Sequence, residues 1–98
     1  AGPGLRFMHG HDIVIGSNVT IGRNCKIFNG VTLGNKDTES GKNSHPKIGD
    51  NVVIGTGAKI LGGILIGSGA IIGANSVVLC DVPVGCTFAG VPARKLSV

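Results

Sequence analysis

An all-β solenoid, a chain of short parallel strands coiled into a triangular prism, is the fold class this 98-residue sequence predicts. Three observations carry it. Aliphatic side chains recur every six residues, at Ile15, Ile21, Ile27 and Leu33, and again at Ile48, Ile54, Ile60, Ile66, Ile72, Val78 and Val84. Glycine usually follows the aliphatic, and a small or medium side chain stands four residues after it, as at Val19, Val31, Val52, Ala58, Ala70, Ser76 and Val82. The composition also leaves no bulky centre for an ordinary globular core, with Gly at 18 positions, Phe at three, and no Trp or Tyr.

A period of six fits neither the 3.6 of an α-helix nor an uninterrupted strand, but it is even, so a strand-like alternation returns the same face inward at every repeat. The chain must therefore turn between short strands. Glycine is replaced after the aliphatic at Phe28, Leu61 and Leu79, and the last two lie three repeats apart. That phase makes three repeats one coil, with unequal walls. Each coil hydrogen-bonds to the next at about 4.8 Å while the aliphatics stack as ladders inside. A chain this short forms one domain and buries a modest fraction of its surface alone, so partner subunits are expected.

The rhythm breaks once, between Leu33 and Ile48, where a polar segment covering about 35–46 ends in His45-Pro46. A loop is extruded from the wall there, and loops on rigid scaffolds are where sites are built. Counting back six from Ile15 lands on His9, a histidine in a slot where the repeat expects an aliphatic. Local rules broken in this way mark functional positions, and imidazole exchanges protons near neutral pH. Continuing the coil phase through the loop puts His9 and His45 on one wall, about two coils or ~10 Å apart. His11 is read as a surface or hydrogen-bonded residue. After Val84 the repeat dissolves into a cap over about 85–98, where Arg94 and Lys95 set two cations at the rim, fit either for solubility or for phosphate.

The remaining features exclude more than they assign. Cys25, Cys80 and Cys86 form no C-x-x-C pair and are odd in number, against a disulfide framework or zinc knuckle; they read as small buried hydrophobes. The net charge of +4 comes from scattered residues with no aromatics between them, which argues against nucleic acid and suits an anionic small ligand. The histidines lack the close spacing of a zinc site, so no metal is expected. No apolar run spans a membrane and no leader opens the chain, which gives a cytoplasmic location by default.

Several motifs together resemble the serine O-acetyltransferases among the hexapeptide-repeat acyltransferases: Met8-His9-Gly10, Val31-Thr32-Leu33-Gly34, His45-Pro46-Lys47-Ile48-Gly49, Ala58-Lys59-Ile60-Leu61-Gly62 and Ala89-Gly90-Val91-Pro92-Ala93-Arg94. The resemblance implies a left-handed parallel β-helix of about five coils, a homotrimer with sites in the clefts between prisms, and a place in cysteine biosynthesis. It implies that His9 is the general base acting on an acceptor hydroxyl and that His45 lies across the site. The hydroxyl then attacks the thioester of acetyl-CoA directly, and no metal takes part. By position, Gly34 supplies a backbone N–H for the oxyanion, Thr56 and Ala74 line the path of the CoA arm, and Arg94 meets its phosphates. Where the family carries an aspartate and an arginine before the two histidines, this chain has Met8 and Ser44. That departure leaves the acceptor open between serine and a sugar hydroxyl. An N-terminal helical domain of the family has no counterpart in the sequence. Two further classes stay open: a non-catalytic trimeric β-helix scaffold and a metal-dependent hydratase.

Overall fold

The computed structural model describes residues 6–8, 13–16, 19–34 and 45–96. The chain winds around three walls. The first coil runs through β1 (Arg6–Met8), β2 (Val14–Ile15) and β3 (Thr20–Ile21), and the second through β4 (Lys26–Phe28), β5 (Thr32–Gly34) and β6 (Lys47–Ile48). The third follows as β7 (Val53–Ile54), β8 (Lys59–Leu61) and β9 (Leu65–Ile66), and the fourth as β10 (Ile71–Ile72), β11 (Val77–Val78) and a bridge at Val82. A fifth turn opens with β12 (Thr87–Gly90), and β13 (Ala93–Lys95) folds back antiparallel to close it. The first wall is β1-β4-β7-β10-β12-β13, the second β2-β5-β8-β11, and the third β3-β6-β9; apart from the closing hairpin every pairing is parallel. No helix among the described residues is long and apolar enough to cross a membrane.

The six-residue pattern explains the interior. Ile27, Leu33, Ile54, Ile60 and Val78 are fully buried, as are Val31, Val52, Ala58 and Ala70 beside them. Each ladder residue removes a whole aliphatic side chain from water, a gain of about 1.5–3 kcal/mol apiece. Small side chains fill the prism corners, where Cys25 is buried and its thiol donates to the Gly49 carbonyl at 3.1 Å. Corners need left-handed backbone, which Gly30, Gly57 and Asn75 supply on the edge between the first and second walls.

Four sequence expectations need correction. In the first wall Phe7, not a residue two positions later, pairs with Ile27. His9, to which the repeat assigned that slot, lies outside the described residues. The loop makes the coil 27 residues long between Ile21 and Ile48, their partners in register, against 18 between Ile48 and Ile66. Extending the phase through it was therefore unsound: His45 leads into β6 on the third wall, whereas the strand that His9 follows belongs to the first. At the far end Val82 takes the inward place opposite Ile66 and Val84 is 74% exposed, because the last coil is two residues shorter. Finally, Cys80 is exposed and Cys86 half-buried, so only Cys25 behaves as a core residue.

Candidate active site

The second wall carries the candidate residues along its rims. On the edge it shares with the first wall, Thr56 and Ala74 follow β7 and β10 at equivalent places in successive coils, and both are exposed. The amide of Asn75 donates to the Thr56 carbonyl at 2.8 Å, and the Thr56 hydroxyl lies 3.4 Å from Asn29 Oδ1 in the coil before. Coil-to-coil bonding thus fixes a strip of small, exposed side chains running parallel to the prism axis. Arg94 is exposed on β13, which lies across the end of the prism against β11.

The opposite edge, shared with the third wall, holds Gly34 and His45 at the two feet of the loop. Leu33 points inward, so Gly34 points outward, and no heavy atom of the described residues lies within 4 Å of where its side chain would begin. Its carbonyl accepts from Gly62 in the next coil at 2.9 Å. The N–H and C=O of one strand residue face the same neighbour, so the Gly34 amide is directed into the ladder with β8. On its outer face Gly34 leaves space among the described residues, while its own amide is turned into the ladder.

His45 is half-buried, with Pro46 after it packed into the wall. Its imidazole lies over Gly16 of the first coil: a Cβ there would stand 3.1 Å from Cδ2 and 3.6 Å from Nε2. The other ring nitrogen, Nδ1, is buried and has no hydrogen-bond partner among the described residues. Orphaned buried nitrogens are uncommon and concentrate where a structure is arranged for something other than stability. The ring also borders a shallow open depression lined by Lys47, Gly63, Ile64 and Leu65. Lys47 and Leu65 stack in the third wall, one coil apart, both exposed.

Sequence reasoning missed the depression and Gly16. Gly16 occupies the glycine position of the repeat and so looks like every other such glycine, whereas the doublet Gly62-Gly63 was a visible irregularity that marked the corner beneath His45. His9 lies outside the described residues. Among the described residues no group of three His, Cys, Asp or Glu is placed to hold a metal ion.

The interrupted six-residue coil places the chain among the hexapeptide-repeat proteins. Residues 45–80 match the bacterial transferase hexapeptide model (six repeats), and residues 12–36 match the hexapeptide repeat of succinyl-transferase. Serine acetyltransferase from Synechococcus elongatus is 50% identical over 97% of this chain and 38% of its own, and that from Haemophilus influenzae 52% over 98% and 36%. Among solved structures, serine acetyltransferase from Brucella abortus in complex with coenzyme A superposes with a TM-score of 0.92 at 46% identity, over 97% of this chain and 38% of that one. The soybean enzyme complexed with serine gives 0.91 at 49% identity, over 97% and 39%. The chain belongs to the serine O-acetyltransferase family within the hexapeptide-repeat acyltransferases, and its coil is the family's left-handed parallel β-helix. It spans about two fifths of the length of the relatives it matches.

Proposed function

We propose that this chain is the catalytic coil of an acetyl-CoA-dependent O-acetyltransferase of the serine acetyltransferase type. The observation that carries the reading is the placement of His45 at the foot of the loop, half-buried against Gly16, within a chain about half identical to serine acetyltransferases throughout. His9 acts as general base: its imidazole takes the proton of the acceptor hydroxyl as the oxygen attacks the thioester carbonyl carbon. The C–S bond then breaks, the thiolate of CoA takes the proton back from the imidazolium, and the acetyl ester leaves without an acyl-enzyme. A positioned imidazole contributes about 10²–10⁴ to such a step.

Acetyl-CoA lies along the second wall in this reading. Its acetyl group approaches the open space beside Gly34, its arm passes the small side chains of Thr56 and Ala74, and Arg94 meets its phosphates with a charge-assisted hydrogen bond. The strand that His9 follows leads to one edge of that wall, and His45 stands on the other. The active form in this reading is a homotrimer, with the site in the cleft between neighbouring prisms. Exposed Val14, Ile71 and Leu65, one outward-facing on each wall, supply apolar surface for its contacts. Three free thiols, Cys25, Cys80 and Cys86, accord with a cytoplasmic, reducing location.

The acceptor is serine or a sugar hydroxyl. The sugar reading is favoured by Met8 and Ser44, which leave no charged pair beside the histidines to hold an amino acid's ammonium and carboxylate. Release of free CoA from acetyl-CoA, measured with serine and with a panel of sugars in parallel, separates the two. Serine-dependent release supports the first and release with a sugar alone the second; silence with every acceptor removes the catalytic reading. His9→Ala is expected to abolish release while the oligomer persists in sedimentation, and an active variant takes His9 out of the mechanism.

A further inference from the structure

We propose that Gly16 is a positioning residue for acetyl transfer: the missing side chain there is what seats the His45 imidazole at the loop edge. The inference rests on the acetyltransferase reading above. Glycines at this place in the repeat ordinarily answer to the next coil's backbone. A Cβ on Gly49 would stand 2.7 Å from the amide of Ser68, one on Gly55 2.7 Å from that of Ala74, and one on Gly67 2.7 Å from the Pro83 carbonyl carbon. At those corners any side chain pushes two coils apart.

Gly16 meets no backbone of the described residues at that range, a trait it shares with Gly73, which faces Ala89 Cβ at 3.0 Å; what sets Gly16 apart is that the side chain it faces is an imidazole. Among the described residues its nearest neighbour is the Cδ2 of His45 at 3.1 Å, and the closest backbone atom is the Leu33 carbonyl at an ordinary 3.5 Å. It is not among the glycines with left-handed backbone, so alanine is conformationally allowed. The loop is the cause. Where the second coil would run directly over Gly16, the chain departs at Gly34 and returns at His45, and the imidazole fills the place that backbone holds at the regular corners. His45 cannot retreat as a whole, because Pro46 is fully buried and its carbonyl accepts from Thr20 at 3.3 Å, while the Lys47 amide donates to Ile64 at 2.9 Å. The coils before and after therefore pin the main chain, and a methyl group at position 16 displaces only the ring. A ring moved by a few tenths of an ångström still leaves the second wall intact for acetyl-CoA but no longer meets the acceptor in the attacking geometry.

The test is Gly16→Ala, read three ways. Steady-state acetyl transfer with the best acceptor should show kcat down tenfold or more, with the KM for acetyl-CoA within about twofold of the parent. In ¹⁵N-histidine spectra the His45 ring signals, assigned through His45→Ala, should move while those of His9 and His11 stay. In a thermal double-mutant cycle, Gly16→Ala should lower Tm in the parent and leave it unchanged in the His45→Ala background, where the obstructing ring is gone. Parent-like kcat overturns the inference, as do unmoved His45 signals or an equal loss of Tm in both backgrounds. If Gly16→Ala alone does not fold, the double variant must; its failure also overturns the inference. Absence of transfer by the parent with any acceptor overturns the acetyltransferase reading and the kinetic role of Gly16 with it, and the thermal cycle then still decides whether the ring rests on that glycine.

Discussion

The two edges of the third wall are built from the same repeat and do opposite things. On the edge shared with the first wall, nothing interrupts the coil. Asp50 accepts the Arg23 amide on Oδ1 at 2.7 Å, its own amide donates to Ser68 Oγ at 2.9 Å, and Gly69 donates to its carbonyl at 2.8 Å, so three coils are tied in one column. Asn24 and Asn51 hold the left-handed corner conformation there. On the edge shared with the second wall the column is broken by the loop, and an imidazole stands there whose buried nitrogen has no partner among the described residues. The regular edge spends its polar groups on holding coils together, and the broken edge leaves polar groups and space available. A solenoid acquires a site by failing to repeat.

If that division holds, damage to the two edges should register in different measurements. After His9→Ala, the largest effect is expected for His45→Ala, which should lower kcat by roughly tenfold or more with Tm nearly unchanged; a variant that instead unfolds would make His45 part of the scaffold. Next is Ile54→Ala in the regular ladder, expected to cost about 2–5 kcal/mol in denaturant unfolding of the assembled protein. The residual folded fraction should keep its full specific activity. Gly55→Ala, which sets a methyl against the Ala74 backbone, should cost about 1–3 kcal/mol by the same measurement. An unchanged midpoint would show that the coils can separate there without strain. The smallest effect is expected for Arg94→Ala on the exposed rim: several-fold weaker CoA binding in calorimetry at low salt, with little change in kcat. Equal affinity would remove Arg94 from the nucleotide path.

Most of the wall was legible in advance because a six-residue period is a statement about burial. Ile27, Leu33, Ile54, Ile60, Ile66, Ile72 and Val78 were read as inward and are buried. The failures came where counting was carried across an irregularity. Phe7 takes the slot that arithmetic gave to His9, since the first coil steps by twenty residues from Phe7 to Ile27. Val82 replaces Val84 because the last coil is short. Counting through the loop failed for the same reason, since the loop shifts the phase and His45 leads into β6 on the third wall. The sequence drew notice to His45 on the loop, yet its seat against Gly16 was invisible, because nothing in the sequence distinguishes Gly16 from Gly22 or Gly49.

By itself the sequence determined the class of fold, the inward ladder and the location of the interruption, because periodicity fixes which face of each short strand leaves water. Only the tertiary structure decided the register of the terminal coils and what stands beside each corner glycine. Those depend on how many residues each turn of the prism takes up, a length settled by coil-to-coil hydrogen bonding rather than by any local preference of the chain.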